Sequence, residues 1–524
     1  MMKDRTVIAA VDIGTTSVKV LAIDADALLE PAAGRRAVLL RVEKGYPLNE
    51  VKPGHFEQDP DYIAECAEQA LRELNAQIND GEGELLAISF SSAMHSLIAV
   101  DADGLRLTGC ITWADLRAAK YASLLRKSGE AAAIAARTGV PVHAMTPLCK
   151  LMWMREQEPD IHQKAAAFIG IREYVLHRWC GGPYVMDRSV AGGTGLYQLE
   201  QERWDEESLA LAAVNESRLP QLVSATHIMN EMKPQAMRAL GLKAAVPVIV
   251  GGADGVLANV GAGAIDRGVA AVTVGTSGAV RVAVLQPAGD KKGELFCYPL
   301  IDGLWFAGGA VNSGGVILRW LCEKFAPADA AAAKQQGADP YERLIGLAME
   351  TPAGAGGLLF LPHLAGERAP HWDEDARGSF VGLSLAHDRR HMLRAGLEGI
   401  VYGLRAVAES MAAAAGGPLR EIRASGGFAR SSALRQLMAD IFGCPVTLAD
   451  TQEASAIGAS MLALLALGKA QSLRGLAAQV SAADRCEPRP EASAVYDRLW
   501  PVYRSLYGAL APAYRELAAF QREH

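Results

Sequence analysis

The chain has 524 residues, half of them apolar, and a formal net charge of −7. That length exceeds what one ordinary core organises and implies two or three domains. The acidic balance excludes a general binder of nucleic acid or of anionic membranes. Eight cysteines without a C-x-x-C pair favour reduced, mostly buried thiols in a cytoplasmic protein over zinc or disulfides. Taken from the N-terminus, the chain reaches a strand within a few residues. Asp12 interrupts its apolar run, so no signal peptide is expected. The longest apolar helix, around Ala459–Leu467, is too short to span a bilayer.

Val7–Val11 predicts a buried strand and Val18–Asp24 a second one. Between them runs Asp12-Ile13-Gly14-Thr15-Thr16-Ser17. An acid closes the strand, a glycine permits a tight turn, and hydroxyls come next. The N–H groups of such a turn, with the Thr hydroxyls, suit phosphate oxygens. The Asp12 carboxylate suits a Mg²⁺ ion held through water, because Mg²⁺ keeps several waters and uses few carboxylates.

Asp59-Pro60 is an N-cap with proline at the first helical position. Ile63, Ala67, Ala70, Leu71, Leu74 and Ile78 recur at helical spacing until Gly81 ends the run. Leu85–Phe90 reads as a strand entering Ser91-Ser92-Ala93-Met94-His95-Ser96. Leu97–Asp101 is another strand, and Asp103-Gly104 makes a turn. Trp113, Asp115 and Arg117 crowd the end of the next short run and suit a polyhydroxylated ligand. Ordinary packing of Trp113 and a solvated Asp115/Arg117 pair are equally open. Residues 118–180 read as helical. The segment 181–204, with Asp187, Arg188, Gly192-Gly193-Thr194-Gly195 and Tyr197, reads as loops over a site. It is no P-loop, since no Gly-Lys-Ser/Thr comes after it. Alternating strands and helices predict an α/β domain.

At 246–264 a buried strand runs into Gly251-Gly252, then Asp254-Gly255, then a helix of small residues. An acid there is placed as a general base, and N-capping is its plainer role. Val272-Thr273-Val274-Gly275-Thr276-Ser277 then aligns without gaps on Val11-Asp12-Ile13-Gly14-Thr15-Thr16. This implies two related halves, each opening on a phosphate loop, with Thr273 standing where the first loop has Asp12. Asn312-Ser313-Gly314-Gly315 starts a helix, Leu358–Leu361 is a strand, and Ser425-Gly426-Gly427 turns towards a helix burying Leu434, Leu437, Met438 and Ile441. A glycine pair at a helix start lets a base or phosphate reach the backbone. The tail 490–524 is an amphipathic, structural helix.

Seven motifs occur in order: Asp12-Ile-Gly-Thr-Thr-Ser, Met94-His95, Trp113-Ala-Asp115-Leu-Arg117, Gly252-Ala-Asp254-Gly, Val274-Gly-Thr-Ser277, Gly366-Glu-Arg-Ala-Pro370 and Ser425-Gly-Gly427. With them the chain resembles the FGGY family of carbohydrate kinases over nearly its full length. The resemblance implies an α/β, two-lobed ribonuclease-H-like fold of the actin/hexokinase ATPase type, with sugar and ATP in an interlobe cleft. The lobes are expected at 1–251 and 252–524. It implies Asp254 as catalytic base, and Asp12, Gly14, Thr15, Thr16, Gly275, Thr276, Ser277, Gly315, Arg319, Gly427 and Ser431 around Mg²⁺-ATP. Met94, His95, Trp113 and Asp254 are expected at the sugar. A homodimer is compatible; nucleic-acid and membrane partners are not expected.

Within the family, Ser91–Ser96 resembles the gluconate kinases, where xylulose kinases more often carry Gly-Gln before Met-His. Xylulose and ribulose remain alternatives, as does an actin/Hsp70-type ATPase acting on a protein partner. A sugar acid needs a cationic or multiple-donor partner for its carboxylate. His95, Arg117, Arg172 and Arg188 are the candidates.

Overall fold

The structure, a computed structural model, describes residues 3–31, 36–290, 292–449, 453–480 and 482–523. The chain forms two compact units. Unit 1 is Met1–Ile265, Val284–Phe306 and Glu453–Val480; unit 2 is Asp266–Ala283, Ala307–Gln452 and Ser481–His524. This differs from a single cut at 251. The strand Val248–Ala253 pairs with Glu84–Ser92, and the helix Asp254–Gly261 packs on Ala454–Ala466, so both helices stay with unit 1.

In unit 1 the sheet order is Ile228–Met229, Val248–Ala253, Glu84–Ser92, Thr6–Ile13, Ser17–Asp24, Val38–Gly45. The predicted strand–turn–strand is an antiparallel hairpin, with Val11 opposite Val20 and Ile13 opposite Val18. Thr6–Ile13 runs parallel to Glu84–Ser92, which runs parallel to Val248–Ala253. Alternation sorts the side chains of the first strand. Val7, Ala9, Val11 and Ile13 share a core with Ile63, Leu71, Leu74 and Ile78 of the helix Pro60–Asp80. Burying each of these aliphatic side chains is worth roughly 1.5–3 kcal/mol. The helix begins as its sequence requires, with Asp59 accepting from the Asp61 and Tyr62 N–H groups. On the opposite face, the Ser89 hydroxyl donates to the Ala459 carbonyl at 2.7 Å.

Two features of unit 1 depart from the sequence reading. The stretch 118–180 contains a strand, Ala167–Ile169, antiparallel to Ile98–Val100; three residues carry no period-2 signal inside a helical region. The segment 181–204 is a set of short elements rather than loops alone: strands Val185–Asp187, Tyr197–Gln198 and Arg203–Trp204, and the helix Arg188–Gly192.

Unit 2 repeats the plan. From Leu304–Val311 the order is Gly278–Val284, Val269–Val274, Glu421–Ser425, Val446–Ala449 and Ala482–Cys486. Val269–Val274 and Gly278–Val284 form an antiparallel hairpin. Val269–Val274 is parallel to Glu421–Ser425, and that strand is parallel to Val446–Ala449. A hairpin with parallel neighbours is the ribonuclease-H-like pattern expected, present once in each unit. The helix Ser432–Phe442 buries Leu434, Leu437, Met438 and Ile441 and ends on Gly443 in the left-handed region. The tail forms the helix Pro490–Glu523, burying Tyr496, Trp500, Tyr503, Tyr514 and Ala518; residue 524 lies outside the described residues. All eight cysteines are unpaired. Among the described residues no helix is long and apolar enough to cross a membrane.

Candidate functional site

Parallel strands deliver their C-terminal ends to one edge of a sheet, where α/β folds bind ligands. In unit 1, Asp12 and Gly252 both pair with Ser91, and Ile13 and Ala253 both pair with Ser92. Asp12 and Gly252 are therefore two strand spacings apart, roughly 10 Å, and Asp254 comes two residues later. The first phosphate loop, the Met94-His95 turn and the Asp254 helix all leave this one edge.

The loop after Asp12 is closed by its own backbone. Gly14 N–H donates to the Ser17 carbonyl at 3.0 Å, and the Tyr46 hydroxyl donates to the Gly14 carbonyl at 2.7 Å. Gln58 Nε2 donates to the Thr15 carbonyl at 2.6 Å. Asp12 accepts from the Ser455 hydroxyl at 3.1 Å, while its Oδ1 is buried with no hydrogen-bond partner. Burial pushes the Asp12 carboxyl above its ordinary range, and the hydroxyls of Ser91 and Ser455 and the charge of Lys19 pull against that shift. An orphaned carboxylate oxygen at a phosphate loop fits a cation. Among the described residues no group of three or more His, Cys, Asp and Glu is arranged as a metal cage. The donor set thus matches Mg²⁺ carried on a nucleotide, which needs only one or two protein carboxylates.

Asp254 is the first residue of the helix Asp254–Gly261, and Ala253 occupies the cap position. The N-cap role weighed for Asp254 is therefore not the one it takes. Its Oδ1 accepts from Gly255 N–H at 2.6 Å. A carboxylate in the first turn of a helix is stabilised in its charged form, the form a base requires. The run of small residues has a packing cause. A Cβ on Gly261 would lie 1.9 Å from the Ala454 carbonyl oxygen, and one on Gly458 would lie 2.1 Å from that of Leu257. Only glycines allow these two helices so close.

A rim of side chains stands beside this edge. Trp113 is 38 % exposed, so it is not a core tryptophan, and its indole N–H donates to Thr15 Oγ1 at 2.8 Å. His95 Nδ1 lies 2.8 Å from the Gly193 carbonyl oxygen. Gly193 is where the chain passes closest to the rim: a Cβ there would lie 2.3 Å from the Met94 methyl and 3.2 Å from the His95 ring.

The three arginines singled out for a carboxylate are already paired. Arg117 bonds Asp115 through Nε at 2.9 and 3.0 Å and Glu57 at 2.7 Å. Arg172, buried, meets Glu173 at 2.8 Å and Asp187 at 2.7 Å. Arg188 meets Glu202 at 2.6 Å and Asp302 at 2.7 Å. Asp115 is buried, accepting also from Phe56 N–H at 2.7 Å, so the Asp115/Arg117 pair is not a solvated one.

Lys150 lies outside the seven sequence motifs. It is completely buried on the helix Pro147–Gln157. Its Nζ donates to the carbonyls of His95 at 2.5 Å, Thr112 at 2.7 Å and Ile111 at 3.3 Å. Burial pulls its pKa down to about 7, against the attraction of Asp115.

Unit 2 holds a cavity of about 370 Å³. Gly275, Thr276, Gly315, Arg319, Gly427 and Ser431 line it; Ser277 is not among the lining residues. The second phosphate loop is pinned to the start of the helix Gly315–Phe325: Gly315 N–H donates to the Gly275 carbonyl at 2.7 Å and Val316 N–H to that of Thr276 at 3.0 Å. A Cβ on Gly315 would lie 2.6 Å from the Gly275 oxygen, so the contact requires glycine. Nothing lies within 4 Å of where Gly275 and Gly427 would carry a Cβ, leaving their backbone open to a ligand. Asp339, Tyr341, Glu342 and Ile345 complete a wall that the sequence did not point to. Asp339 caps Tyr341 N–H at the start of the helix Pro340–Met349.

Two family models match the chain: the N-terminal domain of the FGGY family of carbohydrate kinases over residues 7–261, and its C-terminal domain over 270–467. A gluconokinase of Bacillus licheniformis is 40 % identical over 512 residues, 98 % of each chain. Two crystal structures from Lactobacillus acidophilus, one described as a gluconate kinase and one as a ligand-bound xylulose kinase, each superpose with a TM-score of 0.91 at 35 % identity, covering 98 % of this chain and 100 % of theirs. With a matching hairpin plan in each unit and both family domains in order, the chain belongs to the FGGY family of carbohydrate kinases.

Proposed function

We propose that this kinase phosphorylates D-gluconate on its 6-hydroxyl, giving 6-phospho-D-gluconate with ATP as donor, in the cytoplasm. Likeness to a named gluconokinase at 40 % identity over 98 % of both chains carries the choice of substrate. Mostly buried, unpaired thiols suit a reducing compartment.

Transfer needs a bound sugar hydroxyl in line with the γ-phosphorus; the chain's contribution is positioning, charge neutralisation and removal of one proton. Asp254 accepts the proton of the attacking hydroxyl. Its Oδ1 accepts from Gly255 N–H. Gly275, Thr276, Gly315 and Gly427 take the nucleotide, with Arg319 and Ser431 at the same cavity. Thr15 and Thr16, on the turn that Gly14 closes, take transferred-phosphate oxygens, and Ser277 supports the second loop. Asp12 would hold Mg²⁺ through water, and the ion would neutralise charge on the phosphates.

Met94, His95 and Trp113 bind the sugar. His95 gives Nδ1–H to the Gly193 carbonyl, a tautomer assigned from that bond. The neutral ring then presents Nε2 as an acceptor for a sugar hydroxyl, and presents a donor to a carboxylate only as imidazolium. With Arg117, Arg172 and Arg188 committed to acidic side chains, none of the three is assigned to the carboxylate.

A coupled ADP-release assay over gluconate, D-xylulose, L-ribulose and glycerol tests the reading. Gluconate is expected to have the highest kcat/KM. Equal or better use of D-xylulose would move the substrate within the family, a reading that the xylulose-kinase neighbour keeps open. ATP hydrolysis indifferent to every sugar would instead support an ATPase acting on a protein partner.

A further inference from the structure

As an ammonium Lys150 offers three N–H donors and no acceptor, and all three meet backbone carbonyls, an all-acceptor shell that favours the charged form against the effect of burial. The carbonyls come from two separate segments: the His95 turn and the Ile111-Thr112 strand end that leads into Trp113. The same helix reaches a third segment, since Leu148 N–H donates to the Thr194 carbonyl at 3.0 Å. One helix therefore ties together the chain on either side of the sugar rim.

His95 has φ = 66°, the left-handed region that a non-glycine residue adopts only when its surroundings hold it there. In that conformation its carbonyl turns inward, to Lys150, and its ring meets Gly193. Thr112 immediately precedes Trp113. A charge-assisted bond to its carbonyl fixes the peptide from which the exposed indole springs. A methionine would fill most of the space but leave three buried carbonyls to find other partners. Those carbonyls belong to the two segments flanking the ligand, so they would recover partners by moving the rim.

We propose that Lys150 is the positioning residue of the sugar rim, fixing His95 and Trp113 relative to each other through the His95, Ile111 and Thr112 carbonyls. This rests on the reading of Met94, His95 and Trp113 as the sugar-binding residues. Lys150 itself touches no substrate, and its loss acts on sugar affinity rather than on the nucleotide cavity of unit 2.

The test separates positioning from mere stability. In Lys150→Met the KM for the accepted sugar is expected to rise tenfold or more with the KM for ATP unchanged. Lys150→Arg restores part of the loss. Leu151→Ala, a fully buried neighbour with no link to the rim carbonyls, is expected to lower the thermal midpoint with both KM values unchanged. If Lys150→Met does not accumulate as folded protein, Lys150→Arg decides: a threefold or larger rise in sugar KM at constant ATP KM supports the proposal, and a wild-type KM overturns it. His95→Ala and Trp113→Phe are measured in parallel. If they raise the sugar KM and the Lys150 variants do not, the positioning role is wrong and the sugar site stands. If they leave it unchanged, the sugar site itself is wrong.

Discussion

The two phosphate-loop hairpins share one frame and differ in one pair of residues. Asp12 stands opposite Ser91 on the parallel neighbour in unit 1; Thr273 stands opposite Ser425 in unit 2. In unit 2 the hydroxyls of Thr273 and Ser425 satisfy each other at 2.9 Å. In unit 1 Asp12 has one bond, from Ser455, and an oxygen with none. The neutral pair is complete as it stands and serves the sheet. The charged residue is left incomplete by the protein, and its pKa is raised by burial, so it gains from a cation. The residues just past each parallel strand differ as well: Met94-His95 after Ser92 in unit 1, and Gly426-Gly427 after Ser425 in unit 2. The same fold presents side chains past the parallel strand in one unit and bare backbone in the other.

The largest effect is expected where unit 1 supplies chemistry that unit 2 does not. Asp254→Asn should lower kcat by ~10²–10⁴-fold, the usual loss of a general base, with ATP affinity measured by titration unchanged. Retention of more than a third of wild-type turnover would remove Asp254 from that role.

Asp12→Thr copies the second loop into the first and should cost about tenfold to a hundredfold in activity at fixed Mg²⁺, since it removes the carboxylate proposed to hold the ion. Without ligand the same change should stabilise the fold at neutral pH. The sign comes from linkage. The folded pKa of Asp12 lies above its unfolded value, so the native state binds the extra proton between the two. Stability contributed by this site therefore falls as pH rises from the unfolded value, about 3.9, to the raised folded one, and stays lower above it. The advantage of the Asp12→Thr variant over wild type should be absent below about pH 4, present at pH 7, and diminished by Mg²⁺-ATP. Thermal midpoints across that range would show it. An advantage independent of pH would contradict the buried-charge account.

The reverse exchange, Thr273→Asp, places a new carboxylate at the base of the nucleotide loop. Repulsion of phosphate is worth on the order of 1 kcal/mol in a partly solvated setting, so the KM for ATP should rise roughly fivefold. The sugar KM should not change. An unaltered ATP KM would mean that the second loop does not face phosphate.

Much of this comparison was legible in the chain itself, for a physical reason. A strand ending in an acid or hydroxyl, then glycine, then hydroxyls is a local pattern, and local patterns survive folding. Asp12, Gly14, Thr15, Gly275 and Gly427 belong to it, and so does Asp254 at its strand-to-helix junction. Lys150 does not. A lysine in a helix is solvated unless its surroundings dictate otherwise, and those surroundings come from the His95 and Thr112 segments, 55 and 38 residues away. Arg117, Arg172 and Arg188 were equally ambiguous, because Glu57, Asp187 and Asp302 become their partners only in the fold. The Asp339–Ile345 wall of the unit 2 cavity was illegible for the same reason: its helix has ordinary capping and an ordinary apolar face, and only packing brings it to Gly427.

The smallest effect sharpens the comparison most, because it sets like against like. Ser425→Ala removes one neutral hydrogen bond, to Thr273, worth about 0.5–1.5 kcal/mol. Neither partner titrates near neutrality, so the loss should be the same at pH 5 and pH 8, and kcat should not move. Ser455→Ala removes the matching bond to Asp12, whose strength depends on charge. Donation to an ionised acceptor is worth about 1.5–3 kcal/mol, against about 1 for a neutral one. Taking the donor away raises the folded pKa of Asp12 further, since that bond is among the influences lowering it. The destabilisation by Ser455→Ala should therefore grow as pH rises through the folded pKa of Asp12, and Mg²⁺-ATP should shrink it by giving the carboxylate another partner. Urea midpoints of the two variants against wild type, at several pH values and with and without Mg²⁺-ATP, read the difference directly. Parallel, pH-independent losses would mean that Asp12 is neutral in the folded chain, and would take from the first loop the charge that sets it apart from the second.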